Sequence, residues 1–322
     1  MIGTVTLNPS LDEHIMVHGL IVEEANRWEK LHRYAGGKGI DVSRAIHEMG
    51  GSSIAYGFIG GENGRVLEIL LDEEGVLYSF TPVREETRTN FIITDTKTWQ
   101  QTRIGAPGPR ITPGELERFN RKLRKLKPSP DMMVVAGSAP PGVPTNMYYG
   151  MINEAREFGV RTILDSSGQL FEEGIKAQPY LVKPNIHEAE ELLGKKLETE
   201  ADIIEAVLEL AHTGIEIAVI SRGKEGIIAA TKNGIIKAVP PPVKIKSAVG
   251  AGDCTIAGLA IKLASNAPLI EACRLAVAMG TAAVLTPGTE LCHKADVERI
   301  LPQVKIEEIS TSRKNKRFSI TN

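Results

Sequence analysis

From Pro113 onward the chain alternates runs of helical period with runs of strand period, and no other feature constrains its fold as much. Helix is expected over Pro113 to Leu126 and strand over Met132 to Ala136. Helix Asn146 to Phe158 precedes strand Arg161 to Asp165, and strand Tyr180 to Lys183 precedes helix Ile186 to Leu193. Helix Glu200 to Thr213 then leads to strand Ile217 to Ser221. Such alternation builds a parallel sheet, because parallel neighbours need long crossovers and those crossovers lay helices on both faces. The beginning of the chain fits the same scheme. Ile2 to Leu7 reads as a buried strand, stopped at Asn8-Pro9-Ser10 because proline removes a ladder donor. Ile40 to Met49 reads as a helix closed by Gly50-Gly51, Ser53 to Ile59 as a strand, and Arg65 to Glu74 as a helix.

Two regions break the rhythm. Residues 11–35 and 88–105 carry short alternating runs, of which Asn90 to Thr94 is the clearest strand. They are expected to form a small β-sheet projecting from the core as a lid. The expected domain is therefore residues 1–305 with two inserted lid segments, and residues 306–322 are expected to be a polar tail.

Composition narrows the function. With 42% hydrophobic and 24% charged residues, the chain has the balance of a soluble globular protein. A formal net charge of -2 argues against a nucleic-acid binder. Cys254, Cys273 and Cys292 form no CxxC pair, which argues against a zinc site, and their sparse, odd number fits a reducing compartment. The start, MIGTVTLNPSLD, lacks the pattern of a signal peptide, and the apolar run from Leu275 is too short to span a bilayer. A cytoplasmic protein with no membrane partner is expected.

The sharpest chemical feature is Val249-Gly250-Ala251-Gly252-Asp253, leading into a helical run. Two glycines let backbone amides approach a ligand, and the helix start adds free N–H groups and the positive end of its dipole. That combination suits a transferring phosphoryl group, with Asp253 able to take the proton of an attacking hydroxyl. A glycine turn with an aspartate cap is the alternative use of the same residues. Gly36-Gly37-Lys38-Gly39 opens another helix and presents Asp41 one turn in. It is not a Walker A loop, since Gly39 follows Lys38 where Ser or Thr is required. Its glycines serve either ligand approach or tight helix packing. Asp12 follows the first strand, where open α/β sheets bind ligands, although turns commonly carry such residues. Asn185 and Glu188 are three apart at the end of another strand. They suit a hydrated magnesium ion and equally a capping box, and both uses are compatible. Arg27, Arg88 and Arg103 lie in or beside the lid segments, placed either to converge on a substrate phosphate or to remain solvated.

These pieces occur in an order that resembles the ribokinase-like PfkB carbohydrate kinases, and within them the phosphofructokinase and tagatose-6-phosphate kinase branch. The resemblance covers nearly all of residues 1–303. It rests on TLNPSLD (6–12), AGGKGIDVSRAI (35–46), TRTNF (87–91), GSAPPGVP (137–144), ILDSSG (163–168), LVKPNIHE (181–188), VISRGKEG (219–226) and VPPPVKIKSAVGAGDCTIAGLA (239–260).

The resemblance implies a three-layer ribokinase-like α/β core with a β-sheet lid, and ATP and Mg2+ as cofactors. It implies phosphoryl transfer from ATP to a ketohexose phosphate, with fructose 6-phosphate ahead of fructose 1-phosphate or tagatose 6-phosphate. Asp253 matches the catalytic base, and Gly250, Ala251 and Gly252 the anion hole. Asp12, Gly37, Lys38 and Asp41 match sugar-site positions; Arg27, Arg88, Arg103 and Ser138 match positions around the substrate phosphate. Lys183, Asn185, Ser221, Gly223 and Gly226 match nucleotide-site positions, and Glu188 the acidic residue that organises magnesium through water. The branch often dimerises through its lids, so Arg27 is expected to serve a neighbouring subunit.

One residue departs from the pattern: Asp41 stands where the branch usually has asparagine. An ionised aspartate only accepts hydrogen bonds, which is expected to alter sugar preference or repel a nearby phosphate. Arg103 favours fructose 6-phosphate and Lys38 leans toward fructose 1-phosphate. Three other classes are disfavoured. A nicotinamide dehydrogenase needs GxGxxG after the first strand, where this chain has Asn8-Pro9-Ser10. A sugar sensor needs no base, and a nucleoside or ribose kinase needs no arginine cluster.

Overall fold

The computed structural model describes residues 1–126 and 129–309. In chain order the elements are β1 (Ile2–Thr6), β2 (Ser10–Val17), β3 (Trp28–Gly36), α1 (Lys38–Glu48), β4 (Ser53–Ile59), α2 (Gly61–Glu74), β5 (Leu77–Tyr78) and β6 (Thr81–Pro82). There follow β7 (Arg88–Asp95), β8 (Gln101–Ile104), α3 (Pro113–Arg124), β9 (Met132–Ala136), α4 (Met147–Glu157), β10 (Arg161–Asp165), α5 (Gly168–Ile175), β11 (Leu181–Val182), α6 (Ile186–Leu193), α7 (Glu200–His212) and β12 (Ile217–Ser221). The chain continues with β13 (Ile227–Thr231), β14 (Gly234–Val239), α8 (Ala251–Ala264), α9 (Leu269–Ala283), α10 (Lys294–Ile300) and β15 (Lys305–Ile309).

The main sheet has the order β15-β14-β13-β12-β11-β10-β9-β1-β4-β5, with β6 also paired to β4. From β12 to β5 every pairing is parallel, as the helix–strand alternation predicts. Strands β12 to β15 extend the sheet as antiparallel ribbons. Successive strand side chains point to opposite faces, and the core divides accordingly. In β9, Met132, Val134 and Ala136 pack with α1, α8 and α9, while Met133 and Val135 pack with α3, α4 and α7 on the far face. Buried alanines along α8 and α9 let these two helices lie close, so α8 is sealed against the sheet along most of its length.

The two irregular regions form a separate four-stranded sheet in the order β3-β2-β7-β8, with β2 and β7 parallel and the outer pairs antiparallel. The expected domain end at residue 305 falls short. Lys305–Ile309 is a strand hydrogen-bonded to β14, with Ile306 packed against the core on one face of the sheet and Ile309 on the other. Residues 310–322 of the expected tail lie outside the described residues.

Strand β1 sits where the chain reverses its direction of travel across the sheet: β4 lies on one side of it and β9 on the other. Ligands of open α/β sheets bind beyond the carboxyl ends of strands at such a reversal. The ends of β1, β9, β10, β11 and β12 therefore define the place to look. Among the described residues, no helix is long and apolar enough to cross a membrane.

Candidate active site

Helix α8 begins in the open. Gly250 precedes it with φ 77°, no side chain caps its first turn, and Leu291 occupies the space a side chain at position 250 would need. Only glycine tolerates both the positive φ and that contact. The first N–H groups of α8 consequently lack protein partners and face the strand ends, where the helix dipole adds to their pull on an anion. Asp253 lies one turn in, half-buried, and its carboxylate accepts no hydrogen bond from the described residues. Burial pushes its pKa up to about 6, against the opposing pull of Lys38; Asp165 adds repulsion and Lys183 adds attraction.

Beneath Asp253 lies a buried ion cluster at the ends of β10 and β11. Asp165 accepts from Lys38 Nζ at 3.2 Å and lies 3.4 Å from Lys183 Nζ. Burial opposes ionisation of Asp165, but the two ammonium groups outweigh it and hold its pKa below the ordinary carboxylate value. Lys38 is held protonated mainly by Asp165. Lys183 is 4% exposed, and a Cβ on Gly252 would stand 3.8 Å from its Nζ. The resemblance placed Lys183 with the nucleotide and Lys38 with the sugar; here one carboxylate joins them beneath the Gly250-Ala251-Gly252 turn. Asp165 was quoted within a motif, but no role was expected of it. Its position as the last residue of a strand was the available signal.

On the other side of Asp253 the small sheet contributes its root. Asp12 accepts from Ser10 Oγ at 2.7 Å and from Asn90 Nδ2 at 3.0 Å, with both bonds on Oδ1. Burial raises its pKa, opposed by these two bonds and by Arg88. A Cβ on Gly36 would meet the Asp12 carboxylate at 2.5 Å, so glycine there is what lets β3 pass beside it. Gly37 adopts φ 118° and starts α1, which carries Lys38 and Asp41 toward the same cavity. Asn90 escaped the sequence reading, although it sits within TRTNF. Asn8 also escaped it: its Nδ2 donates to Pro107 O at 3.0 Å and to Ser138 Oγ at 3.4 Å, tying the β1 turn to the β9 end.

Arg44 is the deepest cation. It donates to Glu74 at 2.6 and 2.9 Å, to Ala35 O at 3.2 Å, to Thr289 O at 3.1 Å and to Asp41 Oδ1 at 3.3 Å. One guanidinium thus joins α1, α2, the end of β3 and the loop before α10.

The three expected phosphate arginines are not gathered. Arg88 sits at the cavity edge, donating to Ala106 O and Asn8 O, both at 2.9 Å. Arg103 is exposed and pairs with Ile92, four residues farther out on β7, or roughly 13 Å at strand rise. It does share the sheet face that carries Asp12 and Asn90. Arg27 is exposed beyond the Val17–Trp28 pair, seven residues out from Ser10, or roughly 23 Å. Within one chain Arg27 therefore cannot meet Arg88, because a hairpin tip is as far from its root as the strands are long. Ser138 is exposed at the β9 end.

The candidate nucleotide positions do come together. Asn185 bridges Ser221 across the ends of β11 and β12, and Ser221 N donates to Pro184 O at 3.0 Å. Gly223 and Gly226 form the turn immediately beyond, both with positive φ. Asn185 and Glu188 make a complete capping box, with bonds of 2.8 and 2.9 Å. That leaves one Glu188 oxygen free of the cap. Among the described residues no group of three or more His, Cys, Asp or Glu side chains is arranged to hold a metal directly.

Comparison with known proteins shows the family. Residues 5–296 match the pfkB family of carbohydrate kinases. The chain is 33% identical over 313 residues to 1-phosphofructokinase of Borreliella burgdorferi, covering 97% of this chain and 100% of that one. It is 35% identical over 301 residues to ATP-dependent 6-phosphofructokinase isozyme 2 of Escherichia coli, covering 93% and 97%. The crystal structure of phosphofructokinase-2 from Escherichia coli in complex with substrates and products superposes with a TM-score of 0.90 at 34% identity, covering 94% and 98%. The chain belongs to the pfkB family of carbohydrate kinases.

Proposed function

We propose that this protein transfers the γ-phosphoryl group of ATP to a ketohexose phosphate, with fructose 6-phosphate giving fructose 1,6-bisphosphate as its main reaction. The observation that carries the reading is Asp253: an unpartnered carboxylate with its pKa pushed to about 6, one turn into a helix start left open for an anion. As the sugar's 1-hydroxyl attacks the γ-phosphorus, Asp253 takes its proton. The new O–P bond forms while the bond from phosphorus to the ADP oxygen breaks, and the electron pair leaves with ADP. The N–H groups of Gly250, Ala251 and Gly252 stabilise the charge on the transferred group, supported by Lys38 and Lys183 behind them.

ATP fits along Asn185, Ser221, Gly223 and Gly226, which adjoin the open start of α8. Glu188, with one oxygen outside its capping box, suits a hydrated magnesium ion, which supplies charge neutralisation on the phosphate oxygens when bound. The sugar fits between Asp12, Asn90, Gly37 and Asp41. Lys38 favoured fructose 1-phosphate in the sequence, but it is committed to Asp165. Arg88 at the cavity edge and Arg103 on the same face of the small sheet then favour a phosphate at the far end of the sugar. The other face of that sheet bears half-buried Ile15, Leu31, Phe91 and Ile93 beside exposed Ile104, which supports dimerisation through the lid. Arg27 would then reach the partner's site rather than its own. Three buried free cysteines suit the reducing cytoplasm.

A coupled ADP-release assay across fructose 6-phosphate, fructose 1-phosphate, tagatose 6-phosphate, fructose and ribose tests the reading. The highest kcat/KM is expected for fructose 6-phosphate. A higher value for fructose or ribose would overturn the sugar-phosphate assignment.

A further inference from the structure

Asp41 has surroundings specific enough to say how it works. Its carboxyl lies on the first turn of α1 with 8% of the side chain exposed. Oδ1 accepts from Arg44 Nη1 at 3.3 Å, and Oδ2 has no partner among the described residues. Oδ2 is not among the sealed, unsatisfied atoms of the structure, so it retains contact with the cavity.

The charges that face Asp41 are mostly negative. Asp253 on α8 and Asp12 on β2 both repel a charge on Asp41, while Lys38 and Lys183 act on Asp253 and Arg88 and Arg44 on Asp12. Arg44 is the cation at hand, but Glu74 of α2 already binds it with two shorter bonds, at 2.6 and 2.9 Å. Tyr34 of β3 stacks over Arg44 at 5.8 Å and brings no charge. Lys38 and Lys183 lie against Asp165 and act on Asp253, and neither forms an ion pair with Asp41. Three carboxylates, those of Asp12, Asp41 and Asp253, thus act on one another, and among the described residues the side chain of Asp41 is bonded by Arg44 alone, a cation it shares with Glu74. Like charges held this close do not all ionise, and a proton settles on the most enclosed of them.

We propose that Asp41 selects the sugar in its protonated form, donating a hydrogen bond from Oδ2 to a sugar oxygen. The proton is on Oδ2 because Oδ1 is already an acceptor for Arg44. A protonated carboxyl both donates and accepts, as an amide does. The expectation of an acceptor-only aspartate therefore gives way: enclosure, then repulsion from Asp253, raise its pKa well above the carboxylate range, and Arg44 offsets this only in part. As pH rises Oδ2 loses its donor and gains a charge, so sugar affinity falls where an asparagine would leave it level. The inference rests on the reading that this cavity holds the sugar.

Two measurements test it on the intact protein, in wild type and Asp41→Asn. In the first, KM for fructose 6-phosphate is followed from about pH 6 to about pH 10 at saturating magnesium-ATP. Wild-type KM is expected to rise by up to about tenfold per pH unit once Asp41 ionises. The Asn variant should change less than about twofold over the same range. Equal profiles in the two proteins would overturn the selector role. In the second, infrared difference spectra of the free proteins at neutral pH are compared. A protonated-carboxyl carbonyl band present in wild type and missing from Asp41→Asn is expected; its absence from wild type overturns the proposal. The spectrum needs no turnover, so a protein that phosphorylates no sugar phosphate would refute the functional reading and leave the proton test intact.

Discussion

Asp165→Asn separates the ion cluster from the rest of the site. Asp165 is 2% exposed and is the shared partner of two ammonium groups. The amide keeps the shape but removes the charge, leaving Lys183 buried and uncompensated. Breaking a buried pair by removing one partner costs about 3–5 kcal/mol. The Lys38 side chain is 37% exposed, so that arm is screened and contributes little. The lower end, about 3 kcal/mol, is therefore the expected loss. An unfolding entropy of about 2.1 cal/mol/K per residue over a chain of this size converts that into a fall in Tm of about 4 °C. The sign with pH follows from the depressed pKa of Asp165. Its stabilisation is present above the unfolded carboxylate value and is lost as pH falls through the folded one. The Tm gap between wild type and variant, read by calorimetry, should be full at neutral pH and close in strong acid. A gap of less than about 1 °C at neutral pH would refute the view that Asp165 is the counter-ion that keeps Lys183 buried.

Two further outcomes follow from the same geometry. The kcat for fructose 6-phosphate should fall below about pH 6, by about tenfold per unit, because Asp253 must be ionised to accept the proton; a flat profile down to about pH 4.5 would contradict the raised pKa. Arg103→Ala should lower kcat/KM for fructose 6-phosphate by about tenfold to a hundredfold, with little effect on fructose or on the KM for ATP. Equal losses on both sugars would make Arg103 a support of the lid rather than a phosphate ligand.

Much of this was legible in the residues. The parallel core follows from helix and strand periods, since each run must bury one stripe or one face. The lid segments showed themselves as alternating runs that interrupted the rhythm. The antiparallel pair β13 and β14 escaped the sequence reading, although Asn233-Gly234 between the apolar runs of residues 227–231 and 235–239 is a hairpin signal. The glycine turn at Gly250 and the capping box at Asn185 are local, so spacing alone revealed them. Asp165, Asn90 and Arg44 are different. Each acquires its role from partners 127, 78 and 245 residues away in sequence, at Lys38, Asp12 and Thr289. No local pattern reports such a meeting. For Arg27, membership of a lid segment alone did not distinguish the root of the hairpin from its tip, and strand register puts it at the tip, away from the site of its own chain.

Asp253→Asn is the most direct test of the central claim that this helix start is a phosphoryl-transfer site with Asp253 as its base. The amide preserves size but cannot take the hydroxyl proton. General-base catalysis contributes about 100-fold to 10,000-fold, so kcat for fructose 6-phosphate should fall by at least about 100-fold. ATP affinity, measured by calorimetric titration with magnesium present, should stay within about threefold of wild type, a difference of less than about 1 kcal/mol. A variant that keeps more than about a tenth of the wild-type kcat, a barrier change below about 1.4 kcal/mol, would contradict the assignment of the base and with it the account of the site.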